Sequence, residues 1–228
     1  MKKPKTIEPR RIEAFIAALA RCAVPAHAHN QYAGRSRGAA IRRENLALYL
    51  AQMRRRRPTT ILVGEAPSHR GCRLTGIPFM SETLMLRGVA QAGMFGAERN
   101  YRKATSGETL STEASATIVW GTIAALEPTP LLWNAFPFHP HGPGEPRTNR
   151  PPTAGELEIG QEFLVGLIAI FNVTTVVAVG NRARDSLNLL EIEHTRVRHP
   201  SRGGKRDFTA GILELCQNGS KGVVGGTR

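Results

Sequence analysis

Two short turns carry the side chains best suited to breaking a bond. Gly64-Glu65-Ala66-Pro67-Ser68-His69 follows an apolar run, and Arg198-His199-Pro200-Ser201-Arg202-Gly203-Gly204 lies near the C-terminus. A carboxylate on such a turn, Glu65, can act as a base or hold a water. A neutral imidazole, His199, can donate a hydrogen bond to a developing oxyanion. The cations Arg198 and Arg202 beside it disfavour its charged form. Each turn taken alone also fits a plainer role. Glu65 then caps a helix or joins a salt bridge, and His199 is a surface histidine in a basic loop.

Other residues extend the chemistry. Asn134 ends a short apolar run, and its amide offers one acceptor and two donors, able to read a paired donor and acceptor on a base edge. Asparagine is equally a common turn residue. Phe79, in Gly76-Ile77-Pro78-Phe79, has a face that can stack on a base or fill a core. Ser201, Arg202, Lys205 and Arg206 form a basic loop whose glycines permit close approach of a phosphate. Arg35, Arg37, Arg42, Arg43 and the run Arg54 to Arg57 make a second basic zone, opposed in sequence only by Glu44. His139-Pro140-His141 offers two metal ligands without a third at a suitable spacing, so solvated histidines in a proline-rich loop are expected, and no metal. The phosphate-loop and dinucleotide fingerprints are absent.

These side chains need elements to hold them. Thr59 to Val63 and Thr174 to Val179 are β-branched apolar runs without alternation, as in strands covered on both faces. Pro130 to Asn134 and His194 to Arg198 read as shorter strands. Helices are expected over about 9–24, 40–56, 82–92, 112–126, 153–171, 181–190 and 205–217, with Ser81 as a cap. Pro58 ends the second of these. Residues 135–152 read as one long loop. Strands alternating with helices imply a parallel sheet sandwiched by helices. Right-handed crossovers then bring the loops after Val63, Asn134, Val179 and Arg198 to one edge, where open α/β sheets bind ligands.

The chain of 228 residues is 41% apolar, enough for a core, and carries a net charge of +13, mostly from arginine. Nucleic acid is the partner this favours over an acidic protein. Cys22, Cys72 and Cys216 are scattered and form no paired motif, which argues against disulfides and a zinc ribbon and for a reducing, cytoplasmic setting. Lys2, Lys3 and Lys5 followed by an apolar stretch imitate a secretory leader. Yet Ile12, Phe15, Ile16, Leu19 and Ala23 fall on one helix face, so an amphipathic helix is the better reading. No apolar run reaches transmembrane length, and no membrane partner is expected.

Gly64-Glu65-Ala66-Pro67, Phe79, Asn134 and His199-Pro200-Ser201, in that order, resemble the signature set of the uracil-DNA glycosylase superfamily, over about Thr59 to Phe208. The resemblance implies a three-layer α/β/α sandwich around a four-stranded, largely parallel sheet. It implies excision of uracil from single- or double-stranded DNA, by hydrolysis of the N-glycosidic bond of a flipped-out deoxyuridine. Glu65 would position or activate water, or stabilise the sugar cation. Phe79 would stack on uracil, and Asn134 would pair with the ring N–H and 4-keto oxygen. His199 would stabilise charge on the 2-keto oxygen. Ala66 and Ser68 are expected against the base, and His69, Ser201, Arg202 and Lys205 against DNA.

The chain departs from the family pattern in four places. The Glu-Ala-Pro form is typical of members with an iron–sulfur cluster on four cysteines. This chain has three, so no cluster and no metal cofactor are expected. Ala66 stands where the best-known members carry aspartate, and Ser68 where they carry a thymine-excluding tyrosine, which leaves Glu65 as base, methyl gate or both. Arg202 and Gly203 occupy the place of a wedge leucine. The expected organisation is a single monomeric domain, with residues 1–58 a helical extension packed on it and 218–228 a flexible tail. Two alternatives stay open: a DNA-binding module with a decayed pocket, and a glycosylase for hypoxanthine or xanthine.

Overall fold

The structure is a computed structural model that describes residues 9–221. In chain order it runs α1 (Pro9–Arg21), β1 (Ala28–His29), α2 (Arg37–Arg56), β2 (Thr60–Gly64), α3 (Cys72–Thr75), α4 (Glu82–Arg87), α5 (Ala114–Ile123), β3 (Leu131–Asn134), β4 (His139–Pro140), α6 (Ala154–Phe171), β5 (Thr175–Val179), α7 (Asn181–Leu189), β6 (Thr195–Val197) and α8 (Lys205–Lys221).

β3, β2, β5 and β6 lie side by side in that order, all parallel. The apolar runs behave as their composition demands. Ile61, Leu62, Val63, Leu131, Leu132, Trp133, Val177 and Ala178 are buried, whichever face they point to, because helices cover both sides of the sheet. Tyr49 of α2 closes the open edge of β3: Leu132 N–H donates to its hydroxyl at 2.8 Å, and the hydroxyl donates to Leu132 O at 3.3 Å. Phe15 of α1 packs edge-on against Trp133 and against Phe163 of α6, so the N-terminal helix shares the main core. α6 begins with a capping box between Thr153 and Glu156.

Several boundaries differ from the sequence expectation. α1 ends at Arg21, which leaves Ala23 outside the helix and exposed. α2 starts earlier, because the Ser36 hydroxyl accepts from Ala39 N–H. α4 stops at Arg87, because Gly88 takes a positive φ of 83° and leaves the helical path. α5 is shorter at both ends. The tail expected from Asn218 is helical as far as Lys221, and the rest of that expectation, 222–228, lies outside the described residues, as do Lys2, Lys3 and Lys5.

The loop expected over 135–152 contains a strand. β4 pairs antiparallel with β1, His29 opposite His139. His139 is therefore fully buried and not solvated, with Nδ1 donating to Pro67 O at 2.8 Å and Nε2 3.2 Å from Pro146 O. The second basic zone also dissolves as a unit. Arg42 and Arg43 donate to the carbonyls of Gln31 and Tyr32, Arg56 pairs with Glu127, and Glu44 pairs with Arg102 instead.

Candidate active site

The C-terminal ends of β2, β3, β5 and β6 open into one cavity of about 600 Å³. Glu65, Ala66, Ser68, Phe79, Asn134, His199, Ser201 and Arg202 all line it. Of the residues singled out in the sequence, His69 and Lys205 are not part of its wall. His69 instead donates its backbone N–H to Asn149 Oδ1 at 2.9 Å, and Lys205 opens α8 on the surface.

The floor is set by register. Gly64 stands opposite Asn134 in the β2–β3 ladder. A Cβ on Gly64 would lie 2.6 Å from a Phe79 ring carbon and 2.7 Å from Asn134 Oδ1. Only a residue without a side chain lets ring and amide converge there. Phe79 holds a left-handed backbone, φ 51°, that a bulky residue seldom adopts, and the Trp120 indole N–H anchors its carbonyl at 3.1 Å. Asn134 is 4% exposed, and its amide bonds to no described residue. An amide on the cavity wall without a protein partner keeps its donor and acceptor available to a ligand.

The second loop fixes the imidazole. Ser201 backbone N–H points at His199 Nδ1 from 3.1 Å, and the Ser201 hydroxyl lies 2.7 Å from the same atom. An atom that accepts from an amide carries no proton, so the neutral ring holds its proton on Nε2 as a free donor. Burial, then Arg198, pushes the His199 pKa down and keeps the ring neutral. Arg202 does not contribute to that shift. Gly180 makes room for this loop: a Cβ there would meet His199 Cβ at 2.8 Å.

Glu65 is half-buried, and burial raises its pKa above the usual carboxylate range. Arg182, 3.7 Å away, opposes the shift. Sequence reasoning missed Arg182, although its place just after a strand-end glycine was a usable signal. It also missed Glu113, which lies in a polar stretch with no pattern to mark it. The Ser68 hydroxyl donates to Glu113 Oε1 at 3.0 Å, and burial raises the Glu113 pKa. Cys72, also on the wall, is pushed up to about 12 by burial, so its thiol is protonated and unreactive. Among the described residues, no three His, Cys, Asp or Glu side chains are arranged to hold a metal ion.

An acid, an aromatic face, a free buried amide and a neutral imidazole donor at one strand-end edge form the arrangement of a DNA glycosylase. The chain belongs to the uracil DNA glycosylase superfamily, whose model it matches over residues 52–215. Fifteen chains of solved structures also match. The crystal structure of wild-type SMUG2 from Pedobacter heparinus is similar to this chain with a TM-score of 0.62, over 92% of this chain and 98% of that one. Identity to it is 14%, so the likeness bears on the fold. No curated protein matches the sequence.

Proposed function

We propose that this protein is a monofunctional uracil-DNA glycosylase. A deoxyuridine turned out of the stack enters the cavity, and its base lies on Phe79. Asn134 accepts from the ring N3–H and donates to the 4-keto oxygen. Cytosine presents the opposite pattern at those atoms and would leave buried polar groups unpaired. As the N-glycosidic bond breaks, its electron pair moves into the base, and His199 Nε2–H donates to the 2-keto oxygen. The Glu65 carboxylate faces the developing sugar cation and takes a proton from the water that adds to C1′. The products are an abasic site and the uracil anion, which becomes free uracil by taking up, through solvent, the proton that Glu65 has gained. These steps call on no metal and no cluster.

The observation that carries this reading is the Asn134 amide, which lines the cavity beside an aromatic face with no partner among the described residues. An end-labelled oligonucleotide with one uracil, incubated with the protein and cleaved with alkali, tests it. Strand scission at the uracil and none at cytosine or thymine is the expected result. Binding without scission would instead mean a module with a decayed pocket.

One feature favours a second reading. The wall formed by Ser68 and Glu113 is polar and lacks an aromatic gate. Such a wall suits larger deaminated bases with extra donors and acceptors, hypoxanthine and xanthine. Oligonucleotides carrying these bases, run in the same assay, decide between a narrow and a broad substrate range.

A further inference from the structure

A set of cations behind the first loop makes no ion pair among the described residues. Arg73 follows Cys72, whose side chain lines the cavity. Its Nε is buried without a partner, and the Arg73 side chain makes no hydrogen bond or ion pair to any described residue. Arg147 is exposed on the segment between β4 and α6, two residues before cavity-lining Asn149, and it too has no partner among the described residues. Arg42 donates one N–H to Gln31 O at 2.6 Å and pairs with no carboxylate among the described residues.

These like charges act on one another. Burial, then Arg147, lowers the Arg73 pKa, and burial, then Arg73, lowers that of Arg42. Burial, then Arg73 and Arg42, holds His29 near about 4, so it stays neutral at neutral pH. Guanidinium groups held near one another with no acid between them are unfavourable until an anion arrives. Their planar donors fit phosphate oxygens in pairs.

We propose that Arg73 and Arg147 form a phosphate-binding bank that grips the DNA strand on the side of the cleft opposite the Ser201–Arg202 loop. The proposal rests on the reading of the cleft as a DNA site. The topology supports the placement. β3 and β6 are the two outer strands, so the segment leaving β3 and the loop leaving β6 stand at opposite ends of the cleft. Three interstrand steps place the ends of β3 and β6 about 14 Å apart, and Arg73, on α3 after the neighbouring β2, feels the Arg147 charge. A strand held at both ends presents the nucleotide between them to Phe79 and Asn134. Sequence alone could not single out these two arginines, because 31 lysines and arginines compete for the role.

The test is binding of a uracil-free labelled oligonucleotide, followed by fluorescence anisotropy from low to high NaCl. Arg147→Gln should make log Kd against log[NaCl] shallower by about 0.7 to 0.9, the loss of one phosphate contact. Arg73→Gln should do the same, and the pair should add. Arg147→Lys, which keeps the charge, should restore most of the slope. Uracil release at saturating DNA should stay at the wild-type rate while KM rises. An unchanged slope in Arg147→Gln overturns the proposal, and because that residue is exposed, misfolding cannot mimic the result. If the wild-type protein released no base, the functional reading would fail while the slope measurement would still judge the phosphate bank.

Discussion

Gly64 and Asn134 are direct partners across β2 and β3, and the missing side chain of one makes room for the amide of the other. Gly64 does not need a left-handed backbone, so alanine fits its main chain. It does not fit the space. Gly64→Ala is expected to fold, as judged by circular dichroism, yet to lose about 10-fold to 100-fold in kcat/KM on uracil DNA, because ring and amide are pushed apart. Wild-type activity in this variant would mean that the amide and ring do not hold the base.

Asn134→Ala and His199→Ala should each lose at least about 100-fold in excision rate, the scale of one oxyanion donor, with DNA affinity little changed. Ser201→Ala should lose far less, within about 10-fold. It keeps the backbone N–H that fixes the His199 tautomer and removes only the hydroxyl. Single-turnover kinetics on the three variants make the comparison. Equal losses for Ser201→Ala and His199→Ala would show that the hydroxyl, not the amide, sets the ring.

The acid limb of the pH–rate profile should belong to Glu65. Its carboxylate must be ionised to face the sugar cation, and burial raises its pKa, so the rate should climb with pH above the usual carboxylate range. Removing the Arg182 cation disfavours the charged form further. Arg182→Gln should therefore move the limb to higher pH. A limb that stays, or moves to lower pH, contradicts the assignment. Burial, then Arg198, lowers the His199 pKa, which favours its neutral form near neutral pH.

Glu156 should matter for stability and acid resistance. It is 1% exposed, accepts from both terminal nitrogens of Arg150 at 2.6 and 2.7 Å, and accepts Thr153 N–H at 2.8 Å. Burial pushes its pKa up, but these bonds outweigh that, and the net shift is downward. A lowered carboxylate pKa contributes stability above the usual carboxylate range, which is lost as pH falls through the lowered value. Glu156→Ala should cost about 3–5 kcal/mol in urea unfolding at neutral pH, because it leaves the Arg150 charge half-buried. A cost below about 1 kcal/mol would place the pair among ordinary surface bridges.

Chelation should have no effect. The proposed steps use a carboxylate, an amide and an imidazole, so uracil release after dialysis against EDTA should equal that before. Recovery that depends on added divalent cation would require another mechanism.

What the sequence determined by itself is local and ordered. β-branched runs marked β2 and β5, because an apolar segment without alternation is stable only between two covered faces. Helix–strand alternation and right-handed crossovers then sent Glu65, Asn134 and the His199 loop to one edge, and the order of the motifs pointed to the family. The tertiary structure alone decided how these groups meet. Gly64 and Asn134 are 70 residues apart, and which strand residue faces which is a matter of register, set by packing across the whole sheet. The proton on His199 Nε2 follows from one amide 3.1 Å from Nδ1. Glu113 enters the cavity, and His139 leaves solvent for the core, because segments without periodicity carry no local sign of where they pack. The arginines divide in the same way: composition reports their charge, and only the fold shows that Arg56 pairs with an acid while Arg73 and Arg147 pair with none among the described residues.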